Sequence, residues 1–431
     1  MRYSPIPSKL FVDRRKDFAK KMEPGSVAIF YSNDQMPRSA DQFYPYRQNS
    51  ALFALSGIDQ EGTILVIYPK AKKKKYKEIL FILPHDPKHA TWNGDSFSHK
   101  QASKIAGIET ILTADKWDST MPDLLRKTHS IYINTPEREP SDFVISLQAE
   151  RKSSELKKLY PSHKILASES ILRQMTMVKH RAEIVLLKEA VHITGLAFDR
   201  VLRHVHPGMK EYEVEAELTY ILTQNGCRHA FEPIVASGKS ACTLHYISND
   251  KPIQPGSLIL IDFGAEYANM ASDMTRTIPA SGRFTKEQKK IYNSVLFVLH
   301  EVTKMMLPGM SFDLLNKEAG KLIENELIKL KILSKGDVKK QDMTSPLWKK
   351  FFMHGVSHHL GYDVHDLAER NAVFHEGMVL TCEPGIYLPD MKIGIRLEND
   401  ILITRKGPQN LMASIPIEVD EIETIMQAKT Y

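Results

Sequence analysis

The sequence Leu258-Ile259-Leu260-Ile261-Asp262-Phe263-Gly264 is a short apolar run that ends in a carboxylate and a glycine. An apolar run of this length, rich in aliphatic residues and closed by a turn signal, predicts a buried strand. A second strand-like stretch, residues 272–277, presents Asp273 in Ser-Asp-Met-Thr-Arg-Thr. Taken alone, either aspartate would most simply be a turn or cap residue. Whether they have a functional role is decided by the polar residues further along the chain.

A dense group of imidazoles follows in the segment 354–366, His-Gly-Val-Ser-His-His-Leu-Gly-Tyr-Asp-Val-His-Asp. Its histidines are His354, His358, His359 and His365. Packing alone explains such a concentration poorly, because imidazoles are only intermediate in their tendency to be buried. The segment is therefore predicted to carry ligands or catalytic groups.

Two glutamates complete the candidate set. Glu383 stands in Thr-Cys-Glu-Pro-Gly-Ile-Tyr and Glu398 in Gly-Ile-Arg-Leu-Glu-Asn-Asp, each after a strand-like run. A carboxylate that points inward from a strand is costly unless it meets a cation. Two aspartates, one histidine and two glutamates suit a pair of divalent cations, with Mn²⁺ favoured by the hard oxygen ligands and Zn²⁺ or Co²⁺ as alternatives. Such a pair supports hydrolysis, including that of peptide bonds.

The amino-acid composition says less about function than these motifs do. The 431 residues are enough for two or three domains, and the 42% hydrophobic and 26% charged fractions are typical of folded soluble domains. The net charge of +6 is mild. A lysine-rich run at 70–77 lies between the apolar runs 63–68 and 79–83, which predicts a polar turn between strands instead of a nucleic-acid contact.

The cysteines and the N-terminal residues indicate a cytoplasmic protein. Cys227, Cys242 and Cys382 are widely spaced and form no Cys-x-x-Cys pair, so neither a disulfide framework nor a zinc-thiolate site is expected. The first residues lack the apolar core of a secretory signal, and no run of about 18 apolar residues could span a bilayer. We therefore expect no membrane association.

The pattern of apolar residues predicts two domains, 1–172 and 173–431. The first alternates short strands at 26–31, 63–68, 78–83 and 131–134 with helical stretches at 98–106 and within 141–158, which is typical of an α/β domain. The second begins with long amphipathic helices at 181–204 and 212–225. Within it, His206-Pro-Gly-Met209 and Leu307-Pro-Gly-Met310 both follow a long helix and precede another. This recurrence favours two related halves.

In their order and approximate spacing, Asp262, Asp273, His358, Glu383 and Glu398 resemble the metal ligands of the pita-bread metallopeptidases. The stretches Arg38-Ser-Ala-Asp41 and Tyr44-Pro-Tyr-Arg-Gln-Asn-Ser50 resemble the N-terminal domain of bacterial aminopeptidase P. The similarity extends almost to the C-terminus. It implies an α/β N-terminal domain, then an α+β pita-bread catalytic domain with a pseudo-twofold repeat, and removal of the N-terminal residue from peptides whose second residue is proline.

The resemblance also implies roles for the ligands. Asp262 would chelate one metal, Asp273 and Glu398 would bridge both, and His358 and Glu383 would complete the second. Glu383 would in addition take a proton from the attacking water and deliver it to the leaving nitrogen.

Further side chains are assigned to the substrate by the same resemblance. His365 would hydrogen-bond the scissile carbonyl, and His245 and His354 would line the pocket. We expect Asp41, Trp92, Tyr387 and Arg396 to contact substrate, and Arg396, on the strand face of Glu398, is also placed to orient that ligand. Asp41 and Trp92 would act at the cleft of a neighbouring subunit in a homo-oligomer, a dimer or a tetramer.

Three departures and three alternatives accompany this interpretation. The connections after His365 and after Leu388 are shorter than in familiar bacterial aminopeptidase P sequences, and His359 stands where an aromatic residue often follows the metal histidine. A prolidase confined to Xaa-Pro dipeptides would share the fold and the ligands. A metal-free creatinase-like hydrolase would lack the carboxylates, and a catalytically silent protein-binding module would have lost at least one ligand, whereas this chain keeps them all.

Overall fold

The structure is a computed structural model that describes residues 2–136, 145–342, 344–369 and 372–428. The chain divides into two compact units, residues 3–176 and the chain from Met177 onward. They are described in turn.

The N-terminal unit is an α/β layer built on a six-stranded sheet in the order β6-β5-β4-β1-β7-β8, with a separate β2-β3 hairpin. Its strands are β1 Ser26–Tyr31, β2 Pro37–Ser39, β3 Gln42–Phe43, β4 Ile64–Ile67, β5 Glu78–Ile82, β6 Ile111–Thr113, β7 Ser130–Ile133 and β8 Lys164–Ala167. Its helices are α1 Ser8–Lys21, α2 Ser50–Ser56, α3 Pro87–Asn93, α4 His99–Ala106, α5 Trp117–Leu125, α6 Gln148–Leu159 and α7 Glu169–Thr176.

The central strand β1 shows why this sheet forms. All six of its residues are buried, and it pairs antiparallel with β4 and parallel with β7. A strand covered on both faces has to be apolar throughout, as Ser26–Tyr31 largely is. The lysine-rich run forms a short 3₁₀ turn, Lys74–Tyr76, between the antiparallel strands β4 and β5, which confirms the predicted polar turn. Residues 141–144 of the predicted helix lie outside the described residues.

The second unit combines long helices with several small sheets. Its helices are α8 Arg181–His204, α9 Glu211–Gln224, α10 Lys286–Met305, α11 Phe312–Lys329, α12 Lys335–Lys340 and α13 Val419–Gln427. Its strands are β9 Arg228–His229, β10 Ile234–Ser237, β11 Leu258–Phe263, β12 Ala265–Tyr267, β13 Met270–Ala271, β14 Met274–Pro279, β15 Val379–Cys382, β16 Gly385–Leu388, β17 Ile393–Arg396, β18 Asn399–Thr404 and β19 Gly407–Asn410. The sheets β10-β11-β14 and β15-β18-β19 carry the candidate site.

The two Pro-Gly-Met turns make equivalent hydrogen bonds, as the predicted duplication requires. Gly208 and Gly309 have positive φ angles of 95° and 92°. Gly208 N–H donates to the Ile253 carbonyl and Gly309 N–H to the Phe374 carbonyl, both at 2.9 Å. The second unit therefore repeats one motif of helix, tight turn and helix, closed by a returning chain.

Cys382 lies in the core of this unit with no exposed surface. Across the described part of the chain, no helix is both long enough and apolar enough to cross a bilayer.

Candidate metal centre and active site

The first half of the second unit supplies two aspartates from adjacent strands. Asp262 is the fifth residue of β11 and lies opposite Thr275 of β14, so the two side chains share a region of the sheet. Asp273 immediately precedes β14. Both aspartates are nearly inaccessible to solvent.

The second half supplies the histidine and the glutamates through backbone pairing. His358 lies beside β15, because Thr381 N–H donates to the His358 carbonyl at 2.9 Å. Glu383 directly follows β15 and Glu398 directly precedes β18. Glu398 N–H donates to the Thr275 carbonyl at 3.0 Å, which brings this glutamate against the strand that follows Asp273.

These connections gather the predicted ligands. One ligand atom each from Asp273, His358 and Glu398 lies within 4.8 Å of the other two. His358 Nε2 is 3.3 Å from Asp273 Oδ2 and 3.5 Å from Glu383 Oε1. Asp262 lies near the same carboxylates, since its charge contributes to the raised pKa values of Asp273 and Glu398.

The hydrogen bonds of His358 fit a metal ligand. Its Nδ1 lies 2.9 Å from its neighbour's carbonyl, that of His359, and can satisfy this contact only as a donor. In the neutral ring, Nε2 is then an unprotonated lone pair directed at carboxylate oxygens. The lone pair on Nε2 and those on the carboxylate oxygens repel one another unless a cation lies between them. A backbone carbonyl that accepts from the other ring nitrogen is also the usual second partner of a metal-bound imidazole.

The carboxylates show the same need for positive charge. Burial, followed by the charges of neighbouring carboxylates, raises the pKa values of Asp273 and Glu398 well above the ordinary range. Burial also raises the pKa of Glu383, against the opposing influence of His358 and Arg396. Among the described residues, Asp262 Oδ1 is buried without a hydrogen-bond partner. Divalent cations would compensate these charges, so the residues present fit a metal centre.

A chain of hydrogen bonds holds Asp262 from the side of β17. Arg396 is buried and donates from Nη2 to Asp262 Oδ2, from Nε to Thr275 Oγ1 at 3.0 Å and from Nη1 to the Tyr387 hydroxyl at 2.9 Å. The Tyr387 hydroxyl lies 2.8 Å from His354 Nε2. Arg396 and Tyr387 were predicted as substrate contacts. That role stays a prediction, and their bonds also orient Asp262.

The second ring nitrogen of His354 completes this chain. Nδ1 is 2.8 Å from the Gly355 carbonyl and therefore donates, which leaves Nε2 to accept from Tyr387. Burial, with Arg396 and neighbouring imidazoles, lowers the pKa of His354 to about 4 and keeps the ring neutral. His354 Nδ1 also lies 3.4 Å from Glu383 Oε2, so this ring contacts the predicted proton carrier.

The other two imidazoles face the opening of the cleft. The rings of His365 and His358 have their centroids 4.3 Å apart. Desolvation, His358 and His245 lower the pKa of His365. His365 and His245 are exposed, as residues that meet a substrate must be. The structure thus brings together all the predicted ligands and all three predicted pocket histidines.

The cavity above these groups has a volume of about 480 Å³, within the range that small-ligand sites occupy. Apolar side chains form part of its wall, namely Phe231, Ile234, Leu244, Ile247 and Val364. The cleft is therefore lined partly by apolar side chains and partly by the candidate ligands and histidines. Asp41 and Trp92 belong to the N-terminal unit, where the indole is 86% exposed, and their predicted roles stay predictions.

Several supporting residues were not predicted. Thr275 donates its hydroxyl to Glu398 Oε2 at 2.6 Å, and Thr381 donates to Glu383 Oε1 at 3.2 Å. Asp400 is fully buried and accepts a bond from Asp273 N–H at 3.3 Å. Burial raises the pKa of Asp400 well above its ordinary value. The sequence signal for these residues is that each is a polar side chain two positions from a predicted ligand, within a strand.

A fold of two related halves, with a buried carboxylate and imidazole cluster at the base of a cleft, defines a metallopeptidase of the pita-bread type. The chain belongs to metallopeptidase family M24, whose model matches residues 185–405, and residues 11–132 match the aminopeptidase P N-terminal domain. Membership of this family implies divalent metal ions. Both findings confirm the predicted resemblance and the predicted fold class.

Full-length relatives show the same assignment. The chain is 34% identical to the Xaa-Pro aminopeptidase of Escherichia coli strain K12, with 99% of each chain covered. It is 31% identical to the Xaa-Pro aminopeptidase of Haemophilus influenzae, with 98% of each covered. The solved structure of Escherichia coli aminopeptidase P with the inhibitor Pro-Leu matches with a TM-score of 0.87 at 32% identity, over 99% of each chain.

Proposed function

We propose that this protein is an Xaa-Pro aminopeptidase, which hydrolyses the bond between an N-terminal residue and a following proline. The observation that carries the proposal is the meeting of Asp273, His358 and Glu398 at the base of a partly apolar cleft. The full-length similarity to Xaa-Pro aminopeptidases supports the same substrate class. Residues 173–431 would form the catalytic domain and residues 1–172 its N-terminal companion.

The metal centre would hold two divalent ions. Asp262 would bind one, His358 and Glu383 the other, and Asp273 and Glu398 would bind both. When bound, such ions polarise the scissile carbonyl and lower the pKa of water. Mn²⁺ is the proposed metal, with Zn²⁺ or Co²⁺ as alternatives, because oxygen ligands outnumber nitrogen.

Glu383 is proposed as the proton carrier. Its carboxylate lies in the cleft beside His358 and His354, where it can accept a proton from the attacking water. Thr381 and His354 contact its two oxygens, which limits its rotation. The carboxyl then gives the proton to the prolyl nitrogen as the peptide bond breaks, and the free amine leaves.

His365 would stabilise the charge that develops on the carbonyl oxygen. A neutral imidazole can donate one N–H to that oxygen, and the lowered pKa of His365 keeps it neutral at physiological pH. A donor aimed at a developing oxyanion contributes about 2.7 to 4 kcal/mol in well-studied hydrolases. His245 lies near His365, lines the same cleft and would bind the substrate backbone.

Proline at the second position suits this cleft for two reasons. Its nitrogen carries no N–H in the peptide, so none is left without a partner when the residue enters. Its ring can pack against the apolar wall formed by side chains such as Ile234 and Leu244.

The proposal is tested by comparing an Xaa-Pro-Yaa tripeptide, an Xaa-Pro dipeptide and an Xaa-Ala-Yaa control, with the metal-depleted protein reloaded with Mn²⁺. Cleavage of both proline peptides, but not of the alanine control, is expected. Cleavage confined to the dipeptide would instead identify a prolidase. No turnover with any divalent metal would favour a catalytically silent module.

We also propose a homo-oligomer, a dimer or a tetramer, in which Asp41 and Trp92 contribute to the substrate end of a neighbour's cleft. The support is the exposure of Trp92, whose indole has 86% of its surface accessible and is therefore available to a neighbouring chain. Mass in solution and the tripeptide kinetics of Trp92→Ala test this. A fully active monomer would refute it.

A cytoplasmic location completes the proposal. It is supported by three cysteines that are all free of disulfide bonds, as a reducing compartment favours. Fractionation of cells that express the tagged full-length chain would test it.

A further inference from the structure

Glu211 is a buried carboxylate outside the proposed catalytic set. It is the first residue of α9 and has no exposed surface, yet both oxygens are fully used. Oε1 accepts from the Ser237 N–H at 2.8 Å and from the Ser237 hydroxyl at 2.7 Å. Oε2 accepts from the Tyr246 hydroxyl at 2.7 Å and from the Lys251 N–H at 2.9 Å. A buried carboxylate is retained only when bonds of this kind offset its desolvation.

The partners of Glu211 enclose one segment of chain. Ser237 ends β10 and Lys251 follows the loop, so the carboxylate ties together both ends of residues 238–251, here called the His245 segment. Tyr246 lies inside it, directly after His245. The segment also contributes Leu244 and Ile247 to the wall of the cleft.

We infer that Glu211 is a positioning residue, which holds His245 at the active-site cleft through its bond to Tyr246. This inference rests on the proposed peptidase function. The His245 side chain is exposed, so the backbone of its segment has to supply the order that packing does not. Fixing the hydroxyl of the next residue limits rotation at His245 itself, and small displacements at such positions reduce catalysis strongly.

Asn249 provides a separate anchor at the far end of the segment. Its Oδ1 accepts from the Val235 N–H at 2.9 Å, and its Nδ2 donates to the Pro233 carbonyl at 2.9 Å. Because Asn249 holds residues beyond Tyr246, loss of the Tyr246 bond should loosen the middle of the segment and not detach it.

Glu211→Gln should disrupt this site strongly, because all the partners of Glu211 are hydrogen-bond donors. Each oxygen of Glu211 accepts from one backbone N–H, that of Ser237 or that of Lys251. Whichever way a glutamine amide turns, its NH₂ group meets a backbone N–H that can only donate. Glu211→Asp keeps the charge and the acceptors on a shorter side chain, so it should retain more activity. Tyr246→Phe removes one of the four bonds to Glu211, together with the contact of the Tyr246 hydroxyl to Asp250 Oδ1 at 3.1 Å, and is the least disruptive of the three variants.

A matched control exists elsewhere in the unit. Ser294 donates its hydroxyl to the buried carboxylate of Glu326 at 2.9 Å, on helices α10 and α11. Ser294→Ala therefore also removes one hydroxyl-to-carboxylate bond, and neither Ser294 nor Glu326 lines the cleft.

The experiment measures tripeptide hydrolysis, thermal stability and amide hydrogen exchange for these proteins. We expect Tyr246→Phe to lower kcat/KM about tenfold, with a change in Tm no larger than that of Ser294→Ala, whose kcat/KM stays at the wild-type value. Exchange should rise within 238–251 only in Tyr246→Phe and in the Glu211 variants. In a His245→Ala background, Tyr246→Phe should cause no further loss, because the two residues then act as one unit.

Full wild-type kcat/KM in Tyr246→Phe would overturn the inference, and so would losses that multiply independently with those of His245→Ala. If Glu211→Gln does not fold, Tyr246→Phe still decides. A wild-type protein without peptidase activity would refute the proposed function instead, and a rise in exchange limited to 238–251 would still support the anchor.

Discussion

The two halves of the second unit use the same turn but stabilise the following segment differently. In the first half, the residue two positions after the Pro-Gly-Met turn is Glu211, which binds the His245 segment through hydrogen bonds. In the second half the corresponding residue is Phe312, which packs against Phe374 and His359 with ring centroids 4.9 and 5.2 Å apart. One half is therefore fixed by a buried charge and the other by aromatic packing.

The difference follows from what each half contributes to the site. The second half brings His354, His358 and His365, and its segment is already tied to β15 by backbone bonds at His358 and Glu383. The first half brings one aspartate within β11, a second directly before β14, and a single exposed histidine, His245, in a loop. A loop that presents one catalytic group without strand pairing needs its own anchor, which a buried carboxylate with four donors supplies.

The largest effect should come from removing one ligand from either half. Asp273→Asn in the first half and Glu398→Gln in the second should each lower kcat/KM by at least about a thousandfold and reduce the bound metal, since both carboxylates are proposed to hold both ions. Chelation should abolish turnover and Mn²⁺ should restore it in the wild type alone. Metal analysis at saturation checks the stoichiometry, and one ion per active chain would disprove the bridging roles.

Substitution of the rim histidines should cost less and spare the metals. His365→Ala should lower kcat and kcat/KM by similar factors, about a hundredfold or more, because the lost bond is made mainly in the transition state. His245→Ala, in the other half, should raise KM as well if it holds the substrate backbone. Steady-state kinetics and metal content would be measured together. Loss of metal from His365→Ala would assign that residue to ligation instead.

The sequence was sufficient for the parts of the fold that depend on periodicity. The helix predicted at 181–204 is observed as Arg181–His204, and the predicted strand 26–31 as Ser26–Tyr31. Both have strong local signals, an amphipathic repeat in one and an uninterrupted apolar run in the other. Helix α11 begins at Phe312, directly after Ser311, which caps it by accepting a bond from Leu314 N–H.

Much of the site needed information that no local pattern carries. The ligands were recognised from their order and residue types, and the structure brings them together. Their supports were not predicted, because Thr275 meets Glu398 and Glu211 meets Tyr246 only through the tertiary fold. The bond of Arg396 to Asp262 spans 134 positions. Alternation along a strand predicts which face a side chain occupies, but not which partner from another strand it meets there.

In the second half, Phe312 packs against the ring of His359, and we expect the protonation of this ring to affect the free energy of unfolding. This ring is 3% exposed, and neither nitrogen has a hydrogen-bond partner among the described residues. Burial and the neighbouring Lys179 lower its pKa to about 4. The unfolded chain binds a proton near pH 6.5 and the folded one does not, so this group destabilises the wild type as the pH falls from about 6.5 toward 4.

His359→Phe should remove this dependence and keep the packing against Phe312. The unfolding free energy of the variant should exceed that of the wild type by an amount that grows on acidification, to roughly 2 to 3 kcal/mol near pH 4. Denaturant unfolding of both metal-free proteins at pH 7 and pH 4.5 would measure it, and other titrating groups cancel in the difference. An unchanged difference between these pH values would show that the ring binds a proton in the folded protein.

The smallest effects should come from the two turns that the halves share. Gly208 and Gly309 have φ angles of 95° and 92°, in a region that disfavours any residue with a Cβ, although an added Cβ would meet no atom within 4 Å at either position. Gly208→Ala and Gly309→Ala should therefore each cost about 1 kcal/mol from backbone strain alone, and by equal amounts. Denaturant midpoints of the two variants measure this, and the tripeptide kinetics serve as a control. If the first-half variant also lost activity while the second-half variant did not, the turn before Glu211 would have to position that residue as well as reverse the chain. Equal costs with unchanged kinetics would show that the halves differ only beyond the turn, where Glu211 replaces Phe312.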